Sequence, residues 1–181
     1  MRSLNENTYL CDAAVEVVGT PDEAVLHQHG LLEALALWRR WAGEAFAPTW
    51  KKIDMMEMAK DLRGGTAVLD YIPETGDFRI RYWGLQLVDA FEIELTGKLL
   101  SECQDHGVMA GFRETFQTML TGKEPQFLQH AITSPNGVRR LFPVLRLPVS
   151  DDGETVTKVM TIENIPVCLR TLYLETPERI R

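Results

Sequence analysis

Two turns in the last third of the chain constrain its fold more than any other feature of the sequence. One turn ends in Asn136-Gly137 and the next ends in Asp152-Gly153. Asn-Gly and Asp-Gly pairs favour tight hairpin turns because both positions accept a positive φ angle. The β-rich runs that these turns join cover residues 125–132, 138–147 and 155–163. The sequence therefore predicts three consecutive antiparallel strands.

Two further β-rich runs, 66–72 and 78–83, come earlier and are joined by a connection that contains glycine. In the second run Phe78, Ile80 and Tyr82 alternate with their neighbours, and this period of two predicts that Tyr82 faces the core. Pro143 and Pro148 indicate that the fourth strand of the chain is an edge strand or contains a bulge, because proline cannot donate to a ladder.

The rest of the pattern is helical. Residues 28–46 carry apolar side chains at steps of three and four, which predicts an amphipathic helix with one broad apolar stripe. Shorter helical pieces are predicted at 53–62, 85–94 and 99–103, and a longer helix at 106–120. Residues 1–27 lack sustained periodicity and are predicted to form an arm, with a helix start at Thr20-Pro21. We predict an α+β fold in which a five-stranded antiparallel sheet carries helices on one face.

Composition disfavours several classes of function. The 181 residues contain 26 acidic and 19 basic side chains, for a net charge of −7, which opposes binding to nucleic-acid phosphates. The longest apolar run, residues 34–38, is far shorter than the ~20 residues of a membrane-spanning helix. Cys11, Cys103 and Cys168 form no CxxC pair, which predicts free thiols in a reducing compartment. We predict a cytoplasmic protein with no nucleic-acid or membrane partner.

Four segments, in this order and at this spacing, carry a resemblance to a known family. They read FRIRYWG at 78–84, ELTGK at 94–98, TGKEP at 121–125 and FPVLRLPVSDDG at 142–153. Over residues 31–164 the chain resembles a PAS domain, and more narrowly the fifth PAS profile subfamily of bacterial proteins, once described as a domain of unknown function. Trp83 and Val149 stand where that subfamily more often has a small apolar residue and a leucine.

The resemblance implies a fold and a function. It implies a PAS-like domain over 48–165, preceded by an arm at 1–27 and a flanking helix at 28–47, and followed by a tail at 166–181. It also implies a stand-alone sensory or regulatory module without enzymatic activity, which takes part in bacterial signal transduction through a protein partner.

In a PAS-like arrangement, any pocket lies between the long helix and the inner face of the sheet. The side chains that we expect to line it are Tyr82, Met109, Phe112, Phe116 and Phe127. A small unidentified ligand in that pocket is a hypothesis, and the sequence predicts no catalytic residue.

The sequence carries no strong signal for a cofactor or a metal. Cys103 lacks the Asn, Arg and Phe that flank the cysteine of flavin-photoadduct PAS domains. His106 stands at the start of the long helix, where an imidazole is a suitable haem ligand, but a surface histidine is the preferred interpretation. His27, His29 and His130 do not cluster with carboxylates in the sequence, so no metal site is predicted.

The apolar stripe of the first helix predicts a homodimer. The stripe is wider than the area that one face of a small sheet can cover, so part of it would remain for a second copy. The residues expected to face a second copy or another partner are Leu31, Leu35, Trp38 and Trp41. The alternative is that this helix only covers the sheet of its own chain.

Two other functions stay open. A small isomerase or hydratase on a cone-like α+β fold would need an Asp or Glu with a raised pKa, buried against an apolar pocket. Asp70 and Asp89 are the candidates. A cone-like fold curls its sheet around a cavity, whereas a PAS sheet places its first and last strands side by side. The third candidate function is a dimerisation module without any ligand.

Overall fold

The computed structural model describes residues 14–103, 112–133 and 139–171. Its strands are β1 (Ala14–Gly19), β2 (Thr66–Ile72), β3 (Asp77–Trp83), β4 (Gln126–Thr133), β5 (Arg139–Val149) and β6 (Lys158–Glu163). They form one open antiparallel sheet in the order β1-β4-β5-β6-β2-β3. The α+β class is confirmed, and the strand runs predicted from the sequence lie close to β2 through β6. The predicted number of five strands is wrong, because the sheet has six.

The additional strand, β1, comes from residues that were expected to form an arm. It pairs with β4 at the edge of the sheet, where Val15 lies opposite Ile132. The helix start that follows is also displaced from the prediction at Thr20-Pro21. Asp22 is the N-cap, and its carboxylate accepts a hydrogen bond from the backbone N–H of Val25 at 2.9 Å. An aspartate oxygen in this position satisfies one of the free N–H groups of the first turn.

The helices of the described residues are α1 (Glu23–Gln28), α2 (Leu31–Ala42), α3 (Lys60–Gly64), α4 (Leu85–Phe91), α5 (Phe112–Gly122) and α6 (Ile165–Thr171). Short 3-10 turns cover Trp50–Lys52, Met55–Glu57 and Leu100–Cys103. α2 is shorter than the predicted 28–46 because Gly30 and Gly43 bracket it at φ angles of 70° and 61°. A positive φ is easy for glycine and incompatible with a continuing right-handed helix.

The helix predicted at 53–62 is divided into a 3-10 turn and α3. Asp54 caps the turn by accepting a hydrogen bond from the backbone N–H of Met56 at 2.9 Å. Met58 then takes an extended conformation, with a ψ angle of 146°, which interrupts the helical hydrogen bonds before α3 begins.

Helices cover both faces of the sheet, because the N-terminal helices α1 and α2 pack on the face opposite to α4, α5 and α6. Along β2, Ala67 and Leu69 belong to a core shared with α4, α5 and α6, whereas Val68 belongs to a core shared with α1 and α2. Successive side chains of a strand point to opposite faces, so the two cores lie on opposite sides. We call the face of Ala67 and Leu69 the inner face, and the face of Val68 the outer face.

β5 is an interior strand, which corrects the expectation of an edge. Its pairing with β4 ends at Arg146, and its pairing with β6 begins at Val144. Pro143 therefore has a partner only in β4, and Pro148 has one only in β6. Each proline lies where one side of β5 is unpaired, so the missing N–H breaks no ladder on that side.

Within the described residues, no helix combines the length and apolar character that a membrane crossing requires.

Candidate functional site

A cavity lies between the inner face of the sheet and helices α4 and α5. Its walls are apolar and include Trp83, Leu87, Phe91, Phe112 and Phe116. Its sheet side carries four polar residues, which we call the cavity floor: His130, Arg146, Thr161 and Glu163. The cavity volume is about 20 Å³, enough for about one water molecule.

Strand pairing explains how the cavity floor forms. Thr161 of β6 lies directly opposite Arg146 of β5, and Glu163 lies opposite Val144. His130 of β4 is further along the sheet, opposite Phe142. The long side chain of Arg146 spans this separation, and its Nη2 lies 3.5 Å from Nε2 of His130.

Arg146 is a buried cation whose hydrogen-bonding capacity is largely unused. The residue is 1% exposed, and neither its Nε nor its Nη1 has a hydrogen-bond partner. The rings of Phe116 and Phe112 lie over the guanidinium, with centroids 4.4 Å and 5.6 Å from Cζ. Burial lowers the pKa of Arg146 to about 10, against the opposing effect of Glu163. The guanidinium therefore stays charged at neutral pH, inside an apolar environment.

His130 is neutral at this position. Burial, reinforced by the charge of Arg146, lowers its pKa to about 3. Its ring stacks on Phe112, with centroids 5.3 Å apart and an interplanar angle of 29°. Because Nε2 faces a guanidinium donor, we assign the proton to Nδ1. That Nδ1 has no hydrogen-bond partner.

Glu163 is the acidic member of the cavity floor. The residue is 7% exposed, and its Oε2 has no hydrogen-bond partner. Burial raises its pKa to about 7, although the charge of Arg146 acts in the opposite direction. At neutral pH this carboxyl group therefore exchanges readily between an acceptor and a donor form.

The side chains that the sequence suggested for the pocket do not all line it. Phe112 and Phe116 line the cavity. His106 and Met109 lie outside the described residues. Tyr82 and Phe127 pack with the core on the outer face, so the expectation that they line the pocket is wrong.

A bulge in β3 explains the error at Tyr82. Val68 of β2 pairs with Tyr82, but the next residue, Leu69, pairs with Ile80, so Arg81 is an extra residue. The extra residue reverses the alternation. Trp83 thus faces the cavity, where its indole N–H donates to the carbonyl of Ile93 at 3.0 Å, while the Tyr82 hydroxyl donates to the carbonyl of Arg63 at 3.2 Å. Phe127 faces away from the cavity for a simpler reason. It lies an odd number of residues from His130 along β4, and such residues point to opposite faces of a sheet.

The four residues expected to face a second copy are instead buried within the chain. Leu31, Leu35, Trp38 and Trp41 all belong to the core between α2 and the outer face of the sheet. The indole of Trp38 donates to the carbonyl of Pro148 at 2.9 Å, which fixes the helix to β5. The alternative, that this helix covers the sheet of its own chain, describes the geometry, and a homodimer would need another surface.

The carboxylates suggested for an enzyme do not reach the cavity. Asp70 lies outside it, with Oδ1 2.8 Å from Nε of Arg81 and 3.5 Å from Nζ of Lys158, and Asp89 is exposed. The carboxyl group that lines the cavity is that of Glu163, which the sequence reasoning missed. The available signal was a charged residue that continues an alternating row of apolar residues on one face of a strand, as Arg146 does after Phe142 and Val144.

Few of the described residues are suited to holding a cofactor or a metal. Cys103 is buried, and burial raises the pKa of its thiol. Across residues 14–103, 112–133 and 139–171, no group of three or more His, Cys, Asp or Glu side chains is placed to hold a metal ion. No known protein family, no curated protein and no solved structure matches this chain.

Proposed function

We propose that this protein is a PAS-type sensory or regulatory module that takes a small ligand into the cavity and acts through a protein partner. The observation that carries the proposal is the unsatisfied polar set of the cavity floor, where Arg146, His130 and Glu163 all have free hydrogen-bonding atoms. Buried polar groups in folded proteins are almost always paired. A ligand or ordered water would supply the missing partners.

The order of the strands supports the PAS-type assignment. Without β1, the sheet reads β4-β5-β6-β2-β3, so the first and last of the five predicted strands, β2 and β6, lie side by side in its centre. This is the arrangement expected of a PAS sheet, and the open edges of the sheet differ from a cone curled around a cavity.

The contacts of α5 suggest how ligand binding would become a signal. Phe112 stacks on His130, and Phe116 covers the guanidinium of Arg146 at 4.4 Å. A ligand that reaches the polar atoms of the cavity floor must share space with these two rings. Occupation of the cavity would therefore displace α5 from the sheet and change the outer surface of that helix, which a protein partner can read.

Native mass spectrometry of the full chain, freshly purified from cells, tests this proposal. We expect a mass increment that disappears on denaturation, together with altered hydrogen exchange in α5 when the ligand is present. The matched control is the variant Phe116→Leu, which retains an apolar core residue and removes the ring over Arg146. If neither extracts nor defined ligands alter the mass or the exchange of α5, the sensory proposal is wrong.

Glu163 favours a second candidate function, that of a small enzyme using one general acid–base group. Its pKa of about 7 is suited to proton transfer at neutral pH, and it lies in an apolar cavity beside a cation. This candidate predicts that the chain converts a ligand that it has bound. Incubation of the bound compound with wild-type protein and with Glu163→Gln, followed by product analysis, distinguishes turnover from binding alone.

A further inference from the structure

We propose that the cavity floor binds a small monocarboxylate of two or three carbon atoms, whose carboxylate group is held by the guanidinium of Arg146. This inference rests on the proposed function, because it names the chemical class of the ligand for the same cavity.

The first argument is an excess of donors. The Nε and Nη1 of Arg146 and the Nδ1 of His130 have no hydrogen-bond partner. An arginine side chain has donors only, and the neutral His130 with its Nε2 towards Arg146 presents Nδ1 as a donor. Glu163 does not meet this demand, because its own Oε2 is also without a partner. Three donor atoms therefore lack a partner against the one oxygen of Glu163, so the missing group is chiefly an acceptor, and the guanidinium charge favours an anion.

The second argument is shape. The ring of Phe116 lies over the guanidinium plane at 4.4 Å and that of Phe112 lies at 5.6 Å. Because the rings cover the plane, a ligand can approach the guanidinium only along its edge. A planar group with two oxygens matches that edge because both oxygens can accept in the plane of the N–H donors. The remainder of the cavity is lined by Trp83, Leu87 and Phe91, which suits a methyl or ethyl group.

The third argument is size. The cavity volume of about 20 Å³ is only slightly more than the roughly 10–15 Å³ that one water requires. Acetate and propionate are the anions of this class that need the least rearrangement of α4 and α5. Acetate is itself larger than one water and would move α5 outward, and a longer carboxylic acid would have to displace the apolar walls further.

The experiment is a calorimetric titration of the full chain with sodium acetate and sodium propionate at constant ionic strength. Acetamide is the uncharged control for shape, and sodium chloride is the control for simple anions. We expect saturable binding of the carboxylates, and we expect Arg146→Gln to weaken it by about 10- to 100-fold, as for the loss of charge-assisted hydrogen bonds. Arg39→Gln, on the exposed side of α2, is the matched control and should bind as the wild type does.

A second measurement keeps the proposal testable if Arg146→Gln does not fold. In the wild-type protein, nuclear Overhauser contacts between the acetate methyl protons and the rings of Phe112 and Phe116 should appear and saturate with the calorimetric signal. The absence of saturable carboxylate binding, or binding without these contacts, overturns the carboxylate assignment. If the purified protein nevertheless carries another bound mass, the sensory proposal stands and only the ligand class is wrong.

Discussion

Glu163→Gln should change the pH dependence of stability in a direction that the structure fixes. The buried carboxyl has a pKa of about 7, above its ordinary value of 4.5. The folded protein therefore holds this proton at pH values where the unfolded chain has lost it. The contribution is fully present below the unfolded pKa and is lost as the pH rises through the folded pKa, so stability falls between about pH 4.5 and pH 7.

The size of this effect follows from the two pKa values. A difference of one pKa unit corresponds to about 1.4 kcal/mol, and most of the loss occurs between pH 5 and pH 8. Over that interval ionisation of Glu163 should lower the free energy of unfolding by about 2–3 kcal/mol. Glutamine is close in shape and cannot ionise, so the stability of Glu163→Gln relative to the wild type should rise by about that amount.

Urea denaturation at pH 5, 6, 7 and 8, followed by circular dichroism, measures the difference. His130, whose pKa is lowered to about 3, has the opposite effect on stability below pH 6.5, but it is present in both proteins and so largely cancels in the comparison. Glu74→Gln, in the exposed turn between β2 and β3, is the control and should show no such trend. A difference between Glu163→Gln and the wild type that stays constant with pH would refute the reasoning.

Two further predictions concern packing outside the cavity. Trp38→Phe removes the donor to the buried carbonyl of Pro148 and should lower the free energy of unfolding by about 1–3 kcal/mol; a midpoint that depends on protein concentration would indicate instead that α2 packs against a second copy. Gly84→Ala should destabilise by about 3 kcal/mol or more, because its Cβ would lie 2.1 Å from the carbonyl oxygen of Gly64. Its control, Gly122→Ala, has only a contact at 3.9 Å, so equal losses for the two variants in thermal denaturation would contradict this explanation.

The elements of the fold could be predicted from the sequence because their signals are local. The Asp152-Gly153 pair lies in the connection between β5 and β6, and Gly153 does take a positive φ of 77°. β1 was missed because its six residues show little of the alternation that marks a half-buried strand. It is an edge strand, and its pairing with β4 depends on a partner more than a hundred residues away.

The cavity floor could be predicted only in part, because it depends on the register of three strands. The alternation of Phe142, Val144 and Arg146 is visible in the sequence and places all three on one face. The approach of Arg146 to His130 depends on the path of a long side chain across the sheet, which no spacing in the sequence reports. The bulge at Arg81 is likewise not visible in the sequence. Its one extra residue turns Tyr82 to the outer face and Trp83 to the inner face.

The double variant Arg146→Met/Glu163→Gln tests whether the cavity floor serves stability or ligand binding. The free-energy cost of removing a charge from water often exceeds the stabilisation that its partners provide. Apolar replacements of buried ionic groups can therefore stabilise a protein by about 1–4 kcal/mol. Here the unpaired atoms of Arg146 and Glu163 make a net cost the expected result. At pH 8 the double variant should therefore be at least as stable as the wild type in urea denaturation, while carboxylate binding is lost. A double variant that is clearly less stable would show that these residues stabilise the fold. The unpaired atoms of the cavity floor would then no longer support a ligand-binding function.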